Sequence, residues 1–276
     1  MKRIGIIQMT SGSDVWSNLD FIEKQCDIAA RKGVKLVLTP ENAVQFANRD
    51  AYHKNAKKLG EGAIQAKLAT IAKEHQLSLV IGSMPIRTQH GVTTTSLVFS
   101  PQGQCLGHYD KLHMFDADVA DGYGHYRESE TFHPGDRVVT IDTDIGRVGL
   151  SICYDLRFPD LYQALRSSGA QIILVPAAFT AVTGQAHWEV LLRARAIETQ
   201  CWVIASGQTG THPCDRQTWG HSMVIDPWGE IKAVLDDQVG LLVSDIDLSH
   251  NQQVRQNMPL TQHNRFQIEL KRKPKS

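Results

Sequence analysis

Short apolar runs alternate with amphipathic stretches along the first third of the chain. Residues 3–9 are apolar over the length of a strand, whereas residues 14–32 place Leu19, Ile22 and Cys26 at helical spacing. Apolar residues spaced in this way are typical of a helix with one buried face, and a short apolar run bounded by turn residues is typical of a buried strand. The elements predicted in this third are strand 3–9, helix 14–32, strand 34–38, helix 62–75 and strand 77–84.

Beyond this region the pattern changes to pairs of short strands. Residues 94–100 and 104–109 flank a Pro-Gln-Gly turn, and residues 138–142 and 147–152 flank a turn around Gly146. Each pair predicts a β-hairpin. The remaining predicted elements are a helix from about Pro159, strand 172–175, helix 185–200 and strands 202–206, 222–226, 231–235 and 241–246. Strands outnumber helices and no linker or repeat divides the chain, which predicts one domain over residues 1–276.

Composition and charge narrow the class of partner. Lys and Arg together number 29, as do Asp and Glu, so no global field attracts nucleic acid or an anionic membrane. A small molecule is therefore the expected partner. The first apolar run is interrupted at Gln8, too early for a signal peptide, and no run approaches the roughly 18 apolar residues of a membrane span. These features predict a soluble, cytoplasmic protein.

The cysteines and the C-terminal residues carry further expectations. Five scattered cysteines do not form the dense, even-numbered pattern of a disulfide scaffold, which predicts free thiols. The histidines and cysteines between residues 201 and 221 lack zinc-ligand spacing, so no metal site is predicted. The basic tail from about residue 268 predicts a solvated terminus, with a targeting signal as the alternative. The cysteines are Cys26, Cys105, Cys153, Cys201 and Cys214.

Cys153 is the first candidate for chemistry. Residues 149–159 pass from an apolar run directly to charged and turn-forming residues, so Cys153 is predicted at the junction of a strand and a helix. Helix N-termini and neighbouring cations lower the pKa of a thiol and favour the nucleophilic thiolate. The alternative is a buried, unreactive thiol, which is the ordinary role of a single cysteine beside residues such as Leu150 and Ile152.

Glu41 and Lys111 also follow predicted strands. Glu41 comes directly after the run that ends at Pro40, and Lys111 follows the second arm of the first hairpin. The alternative for each is a solvated surface side chain, since acidic residues and lysines usually occupy the surface. Sequence spacing by itself does not connect residues 41, 111 and 153.

Three segments around these residues resemble the signature segments of the nitrilase, or carbon-nitrogen hydrolase, superfamily. The segments are Leu38-Thr-Pro-Glu-Asn42, Tyr109-Asp-Lys-Leu-His113 and Ser151-Ile-Cys-Tyr-Asp-Leu-Arg-Phe-Pro159. They occur in the order of the family, and the resemblance covers nearly the whole chain. It implies a Glu-Lys-Cys triad of Glu41, Lys111 and Cys153, with Glu128 as the second glutamate that lies near the triad in this family.

The resemblance narrows further downstream. Residues 186–201 and 220–229 look like the branch that hydrolyses the amide of deaminated glutathione to 2-oxoglutarate and cysteinylglycine, a metabolite-repair reaction. An omega-amidase acting on 2-oxoglutaramate, or another amidase of the superfamily, is the alternative enzyme. A catalytically silent nitrilase-like scaffold is the non-enzymatic alternative.

The resemblance also implies a mechanism that uses no cofactor. Cys153 attacks the amide carbonyl and forms a thioester. Lys111 and the backbone N–H of Tyr154 stabilise the oxyanion, and Glu41 transfers the protons. Burial beside Glu128 is expected to raise the pKa of Glu41 towards neutrality, because like charges disfavour joint ionisation.

Candidate substrate-binding residues follow Cys153. Arg157 is expected to pair with a substrate carboxylate, with an ion pair to Asp155 or Asp160 as the structural alternative. By resemblance, a further group lines the pocket; the alternative is helix capping for its two threonines and a backbone hydrogen bond for its histidine. This group consists of Phe179, Thr180, Thr183 and His187.

The fold implied by the resemblance is an α+β, four-layer α-β-β-α sandwich in a single domain. The resemblance further implies a homodimer that packs through helices and extends the sandwich across two subunits.

Overall fold

The computed structural model describes residues 1–122, 124–213 and 215–271, so Cys214 and most of the basic tail lie outside the described residues. Within these ranges the helices are α1 (Val15–Arg31), α2 (Arg49–Asn55), α3 (Ala63–Glu74), α4 (Pro159–Ser167), α5 (Ala181–Thr199), α6 (Leu248–Asn257) and α7 (Leu260–His263). The strands are β1 (Lys2–Gln8), β2 (Leu36–Leu38), β3 (Ser78–Thr88), β4 (Gly91–Phe99), β5 (Cys105–Asp110), β6 (Asp116–Asp118), β7 (His125–Arg127), β8 (Thr140–Thr143), β9 (Gly146–Leu150), β10 (Ile172–Ala177), β11 (Trp202–Gly207), β12 (Thr209–Thr211), β13 (Gln217–Trp219), β14 (Ser222–Ile225), β15 (Ile231–Leu235) and β16 (Gly240–Ile246).

Two six-stranded sheets of similar design form the centre of the molecule. The first has the order β16-β1-β2-β3-β4-β5 and the second β15-β14-β11-β10-β9-β8. Three parallel strands lie at the middle of each sheet, β1 to β3 in the first and β9 to β11 in the second, with antiparallel strands on both sides. Two short ribbons, β6-β7 and β12-β13, lie outside the sheets.

The alternation of side chains along the first sheet explains the layers. On β1, Ile4 and Ile6 belong to the cluster shared with the second sheet, whereas Ile7 belongs to the cluster beneath α1 and α3. Successive residues of a strand point to opposite faces, so both faces of this sheet are buried. The second sheet packs against α4 and α5 on its outer side. The predicted four-layer α-β-β-α sandwich is confirmed.

The two sheets present their carboxyl ends at a common edge. Met9, just after β1, pairs in parallel with Gln208, just after β11, so the central strands of both sheets run in the same direction. The strand β5 is antiparallel to β4, which is antiparallel to β3, so β5 also ends at this edge. Residues that directly follow β2, β5, β9 and β10 are thereby brought together.

Both predicted hairpins and the order of the long elements are confirmed. The predicted start of the long helix at residue 185 is wrong, because the helix begins at Ala181 after Thr180, whose hydroxyl accepts a hydrogen bond from the N–H of Thr183. The helices α2, α6 and α7 and both short ribbons were not predicted, because their sequences are polar and lack an apolar period of their own. Helix α2 contacts β3, and Asn251 on α6 donates to the carbonyl oxygens of Gln171 and Gln200.

Candidate active site

Glu41, Lys111 and Cys153 meet where the carboxyl ends of the two sheets converge. Glu41 follows β2, Lys111 follows β5 and Cys153 follows β9, so three strand ends from two sheets each contribute one side chain. All three are buried, with only 4%, 1% and 7% of their surfaces exposed, respectively. The expectation that Glu41 and Lys111 are solvated surface residues therefore does not describe this structure.

Lys111 lies between two glutamates. Its Nζ donates to Oε1 of Glu41 at 2.8 Å and to both carboxylate oxygens of Glu128 at 2.8 Å. The other oxygen of Glu41, Oε2, accepts from the backbone N–H of Ala178 at 2.9 Å, and Oε2 of Glu128 accepts from the N–H of Phe115 at 2.6 Å. Each carboxylate is thus oriented by the ammonium and by one backbone amide.

The pKa values of the two glutamates shift in opposite directions. Burial acts to raise the pKa of Glu41, but the charge and hydrogen bond of Lys111 outweigh it, and the pKa is lowered. Burial raises the pKa of Glu128, and the negative charge of Glu41 adds to that rise, although Lys111 opposes both. The expected rise of the Glu41 pKa is therefore wrong, because the like-charge penalty falls on Glu128. Burial also disfavours the ammonium of Lys111, yet the two carboxylates outweigh it and raise the pKa of Lys111.

The thiol of Cys153 is held in its protonated form. Burial and the negative charge of Glu41 raise its pKa well above the usual value, while Lys111 acts in the opposite direction. The expectation that a helix terminus and a cation produce a resting thiolate is therefore wrong. A thiol in this state needs a base, and the neighbouring Glu41 carboxylate is ionised and able to accept the proton.

The backbone at Cys153 has an unusual conformation. Its φ is +49°, in the left-handed region that side chains other than glycine seldom adopt, and a 3₁₀ turn over Cys153–Arg157 follows. Strain of this kind persists only where neighbouring structure enforces it, and it concentrates at functional sites. The first N–H groups of a helical turn have no partner within the turn, so the N–H of Tyr154 is available beside the thiol.

A cavity of about 310 Å³ opens at the thiol. It is lined by Glu41, Lys111, Glu128 and Cys153, together with aromatic and cationic side chains. A second, narrower cleft meets the cavity at Cys153 and shares Phe115 and Arg216 with it. The thiol therefore borders both spaces, of which only the cavity has room for a small molecule, since the cleft measures about 10 Å³.

A family model described as carbon-nitrogen hydrolase matches residues 3–256. The chain belongs to the carbon-nitrogen hydrolase family. The deaminated glutathione amidase of Yersinia enterocolitica is 46% identical to it over 266 residues, which are 95% of this chain and 93% of the relative.

Solved structures of this hydrolase family share the fold. Saccharomyces cerevisiae Nit3, a member of branch 10 of the nitrilase superfamily, matches with a TM-score of 0.86 and 29% identity over 96% of this chain and 97% of its own. A mutant amidase from Nesterenkonia sp. AN1 matches with a TM-score of 0.78 and 25% identity over 95% of this chain and 100% of its own. That structure shows Michael addition of acrylamide at the active-site cysteine of the Nesterenkonia protein.

The candidate substrate-binding residues of this carbon-nitrogen hydrolase lie in the narrow cleft rather than in the larger cavity. The cleft is lined by Tyr154, Arg157, Phe179, Thr180 and Thr183. His187 lines neither space, and its Nδ1 lies 3.2 Å from Nη1 of Arg157.

Of the structural alternatives, the helix cap is confirmed for Thr180, whereas the ion pair is not found for Arg157. Thr180 caps α5 through its hydroxyl, as the capping alternative stated, and it also faces the cleft. Arg157 makes no ion pair with Asp155 or Asp160; its guanidinium lies 5.2 Å from the ring centre of Phe179. It therefore keeps its charge available to the cleft.

Sequence reasoning missed the residues that line the larger cavity. They come from the segment before α2 and its first residue, from the loop between β5 and β6, from β7, and from the loop between β12 and β13; they include Phe46, Arg49, Phe115, Tyr126, Arg127 and Arg216. None of these residues has a partner at regular spacing in the sequence. The sequence offered one indication for Arg216: it is a basic residue in the polar loop that precedes the predicted strand 222–226.

Within the described residues, no cluster of three or more His, Cys, Asp and Glu side chains is arranged to hold a metal ion. Among the described helices, none is long and apolar enough to cross a membrane.

Asp155 anchors the turn that carries Cys153. This fully buried carboxylate accepts hydrogen bonds from the hydroxyl of Tyr109 at 2.7 Å, the N–H of Ile152 at 2.9 Å, and the N–H and Nδ1 of His113 at 3.1 and 2.7 Å. It ties the strand end before the thiol to the segment that carries Lys111.

We expect Asp155→Asn to lower the free energy of unfolding by about 2–3 kcal/mol, because an amide cannot accept from all of these donors and leaves some of them buried without a partner. Urea denaturation measures this change. The rate of Cys153 alkylation should change as well, since the anchor of the turn is weakened. Asp142→Asn is the matched control, because Asp142 is exposed and pairs with Arg147 at the surface; equal stability losses in both variants would contradict the anchoring role.

Proposed function

We propose that this carbon-nitrogen hydrolase is an amidase in which Glu41, Lys111 and Cys153 act as the catalytic triad. One observation carries the proposal: a buried ammonium, held between two glutamates, lines a cavity together with a buried thiol. Burying one ammonium and two carboxylates costs several kcal/mol unless they are well paired, so a fold retains such a cluster where its charges serve chemistry.

In the proposed mechanism, Glu41 takes the proton of Cys153 as the sulfur attacks the amide carbonyl. The oxyanion that forms is stabilised by Lys111 and the N–H of Tyr154. Glu41 then gives its proton to the leaving nitrogen, the carbon–nitrogen bond breaks and a thioester remains on Cys153. Glu41 next accepts a proton from water as the water attacks the thioester, and it returns this proton to the departing sulfur. Glu128 holds Lys111 in place and balances its charge.

The substrate we propose is deaminated glutathione, cleaved to 2-oxoglutarate and cysteinylglycine. Support comes from the identity with the Yersinia amidase over nearly the full length of both chains. The cavity of about 310 Å³ that the thiol lines suits a small-molecule amide. The alternative is 2-oxoglutaramate, which has the same acyl half and releases only ammonia.

Parallel assays test this function. Deaminated glutathione, 2-oxoglutaramate, a simple nitrile and an N-carbamoyl amino acid are incubated with the protein, and products are measured by mass spectrometry. We expect the highest kcat/KM with deaminated glutathione and a transient acyl adduct on Cys153. Turnover of the nitrile alone would overturn the assignment, and binding without turnover of any amide would favour a silent scaffold.

The pH profile tests the role of Glu41. Glu41 acts as a base only when ionised, and its pKa is lowered, so kcat/KM should hold from neutral pH down to the ordinary glutamate range and fall only below about pH 4.5. In Glu128→Gln the acid limb should move to lower pH, because removal of a negative neighbour makes ionisation of Glu41 easier. Rates are measured after brief exposure, and return to pH 7 shows whether the protein stayed folded. An acid limb between pH 5 and 7 that disappears in Glu128→Gln would assign the essential ionisation to Glu128 instead.

We further propose a cytoplasmic homodimer that packs through α5. The outer face of this helix exposes Val190 and Ile197, which lie two turns apart on one side, and Trp228 is exposed as well. Light scattering should give twice the chain mass, and Val190→Glu should give a monomer. A monomeric wild-type protein would refute the dimer.

A further inference from the structure

Arg216 is a cation close to the triad to which the proposed mechanism gives no role. It lies between β12 and β13 and lines both the cavity and the cleft. Its Nη2 donates to the carbonyl oxygen of Ala178 at 2.6 Å, and the N–H of the same alanine donates to Glu41 at 2.9 Å. A single residue therefore connects the guanidinium to the candidate base.

The guanidinium of Arg216 is held on its faces and forms no ion pair with a carboxylate in the part of the chain that the structure describes, although its charge helps to lower the pKa of Glu41. Its central carbon lies 5.3 Å from the ring centre of Phe46 and 5.0 Å from that of Tyr126. Its Nε is buried and has no hydrogen-bond acceptor among the described residues. A buried donor without an acceptor is costly, and arginine presents its N–H groups in the geometry of a carboxylate.

Two other cations that line the cavity, Lys111 and Arg127, are already paired with carboxylates. Lys111 faces Glu41 and Glu128, and Arg127 forms an ion pair with Asp118. Arg49 is exposed to solvent, where a charge interaction is screened. Arg216 thus lines the same cavity as the thiol, and its buried Nε has no acceptor among the described residues.

We propose that Arg216 binds the carboxylate at the far end of the acyl half of the substrate, so that the enzyme selects amides of dicarboxylic acids. This inference rests on the proposed function of the same site. The acyl carbon is bonded to the sulfur of Cys153 in the thioester, so the acyl chain extends into the space that Arg216 lines. Binding of its carboxylate there would hold the carbonyl against Lys111 in both the amide and the thioester.

Protection of Cys153 from alkylation tests the inference without turnover. Iodoacetamide labels the protein in the presence of 2-oxoglutarate or levulinate, which carries a methyl group in place of the carboxylate assigned to Arg216. Peptide mass spectrometry reads Cys153, and the exposed Cys105 serves as the reference thiol in the same molecule. The proteins are wild type, Arg216→Met, Arg216→Lys and the control Arg147→Met, whose arginine pairs with Asp142 at the surface.

In the wild type and in Arg147→Met, 2-oxoglutarate should protect Cys153 at about 10- to 100-fold lower concentration than levulinate, the range expected for a charged hydrogen-bonded pair. Arg216→Met should lose this difference, and Arg216→Lys should retain part of it. If Arg216→Met does not fold, Arg216→Lys and Arg216→Gln provide the comparison. Equal protection by the two ligands in the wild type, or an unchanged difference in every folded Arg216 variant, overturns the inference.

Kinetics identify which half of the substrate Arg216 recognises. Arg216→Met should raise KM for deaminated glutathione and for 2-oxoglutaramate by similar factors, because the two share the acyl half. A rise for deaminated glutathione alone would place the contact on the dipeptide half and refute the inference. Protection by 2-oxoglutarate that depends on Arg216, in a protein that hydrolyses no amide, would refute the proposed function and leave the carboxylate site standing.

Discussion

Cys153→Ala is expected to reduce hydrolysis of deaminated glutathione at least about 10⁴-fold, because the step that forms the thioester is lost with the sulfur. The fold should tolerate the change, since alanine occupies less space than cysteine and the triad charges stay paired through Lys111 and the two glutamates. Initial rates and intact-mass spectra measure the loss of turnover and of the acyl adduct.

Cys105→Ala is the matched control for that variant. Cys105 is exposed and begins the edge strand β5, about 20 Å along the strand from Lys111 at its other end. It should keep wild-type kinetics. A Cys153→Ala protein that retains a tenth or more of the wild-type rate would refute the covalent mechanism.

Lys111→Met should affect both activity and stability. Loss of the proposed oxyanion donor should lower kcat by about 10²- to 10³-fold. The same change leaves Glu41 and Glu128 buried without their cation, which should cost about 3–5 kcal/mol of unfolding free energy. Steady-state kinetics and urea denaturation measure the two effects.

A double variant separates the two effects of Lys111. In Lys111→Met/Glu128→Gln one of the two buried negative charges is removed, so much of the stability should return while kcat stays low. Lys67→Met is the control, because Lys67 forms a partly exposed pair with Glu23 and should contribute no more than about 1 kcal/mol. Recovery of activity together with stability in the double variant would show that Lys111 serves the fold and does not stabilise an oxyanion.

The directions of the pKa shifts describe the resting charges of Glu41, Glu128 and Cys153. The lowered pKa of Glu41 and the raised pKa of Cys153 mean that the resting site holds a carboxylate and a thiol. In the proposed mechanism, the proton therefore passes from Cys153 to Glu41 as the sulfur attacks. Glu128 carries the like-charge penalty, which leaves Glu41 ionised.

Much of the architecture followed from apolar patterning. The run 34–38 predicted β2 and the junction after residue 150 predicted the turn at Cys153, because backbone period and burial are local properties that a sequence records directly. The polar helix α2 escaped prediction, since its order depends on contacts with β3 that no local pattern encodes. The early start of α5 was also not predicted, because it depends on a single hydrogen bond in which the hydroxyl of Thr180 accepts from the N–H of Thr183.

The sequence by itself determined most of the long elements and, through three matched segments, the identity of Glu41, Lys111 and Cys153 as candidates. Only the tertiary structure decided the directions of their pKa shifts and the position of Arg216. The physical reason is that a pKa depends on burial and on charges a few ångströms away, and here those charges come from strand ends on two different sheets. The position of Arg216 likewise depends on contacts with Ala178, Phe46 and Tyr126, all of which are distant from it in the chain.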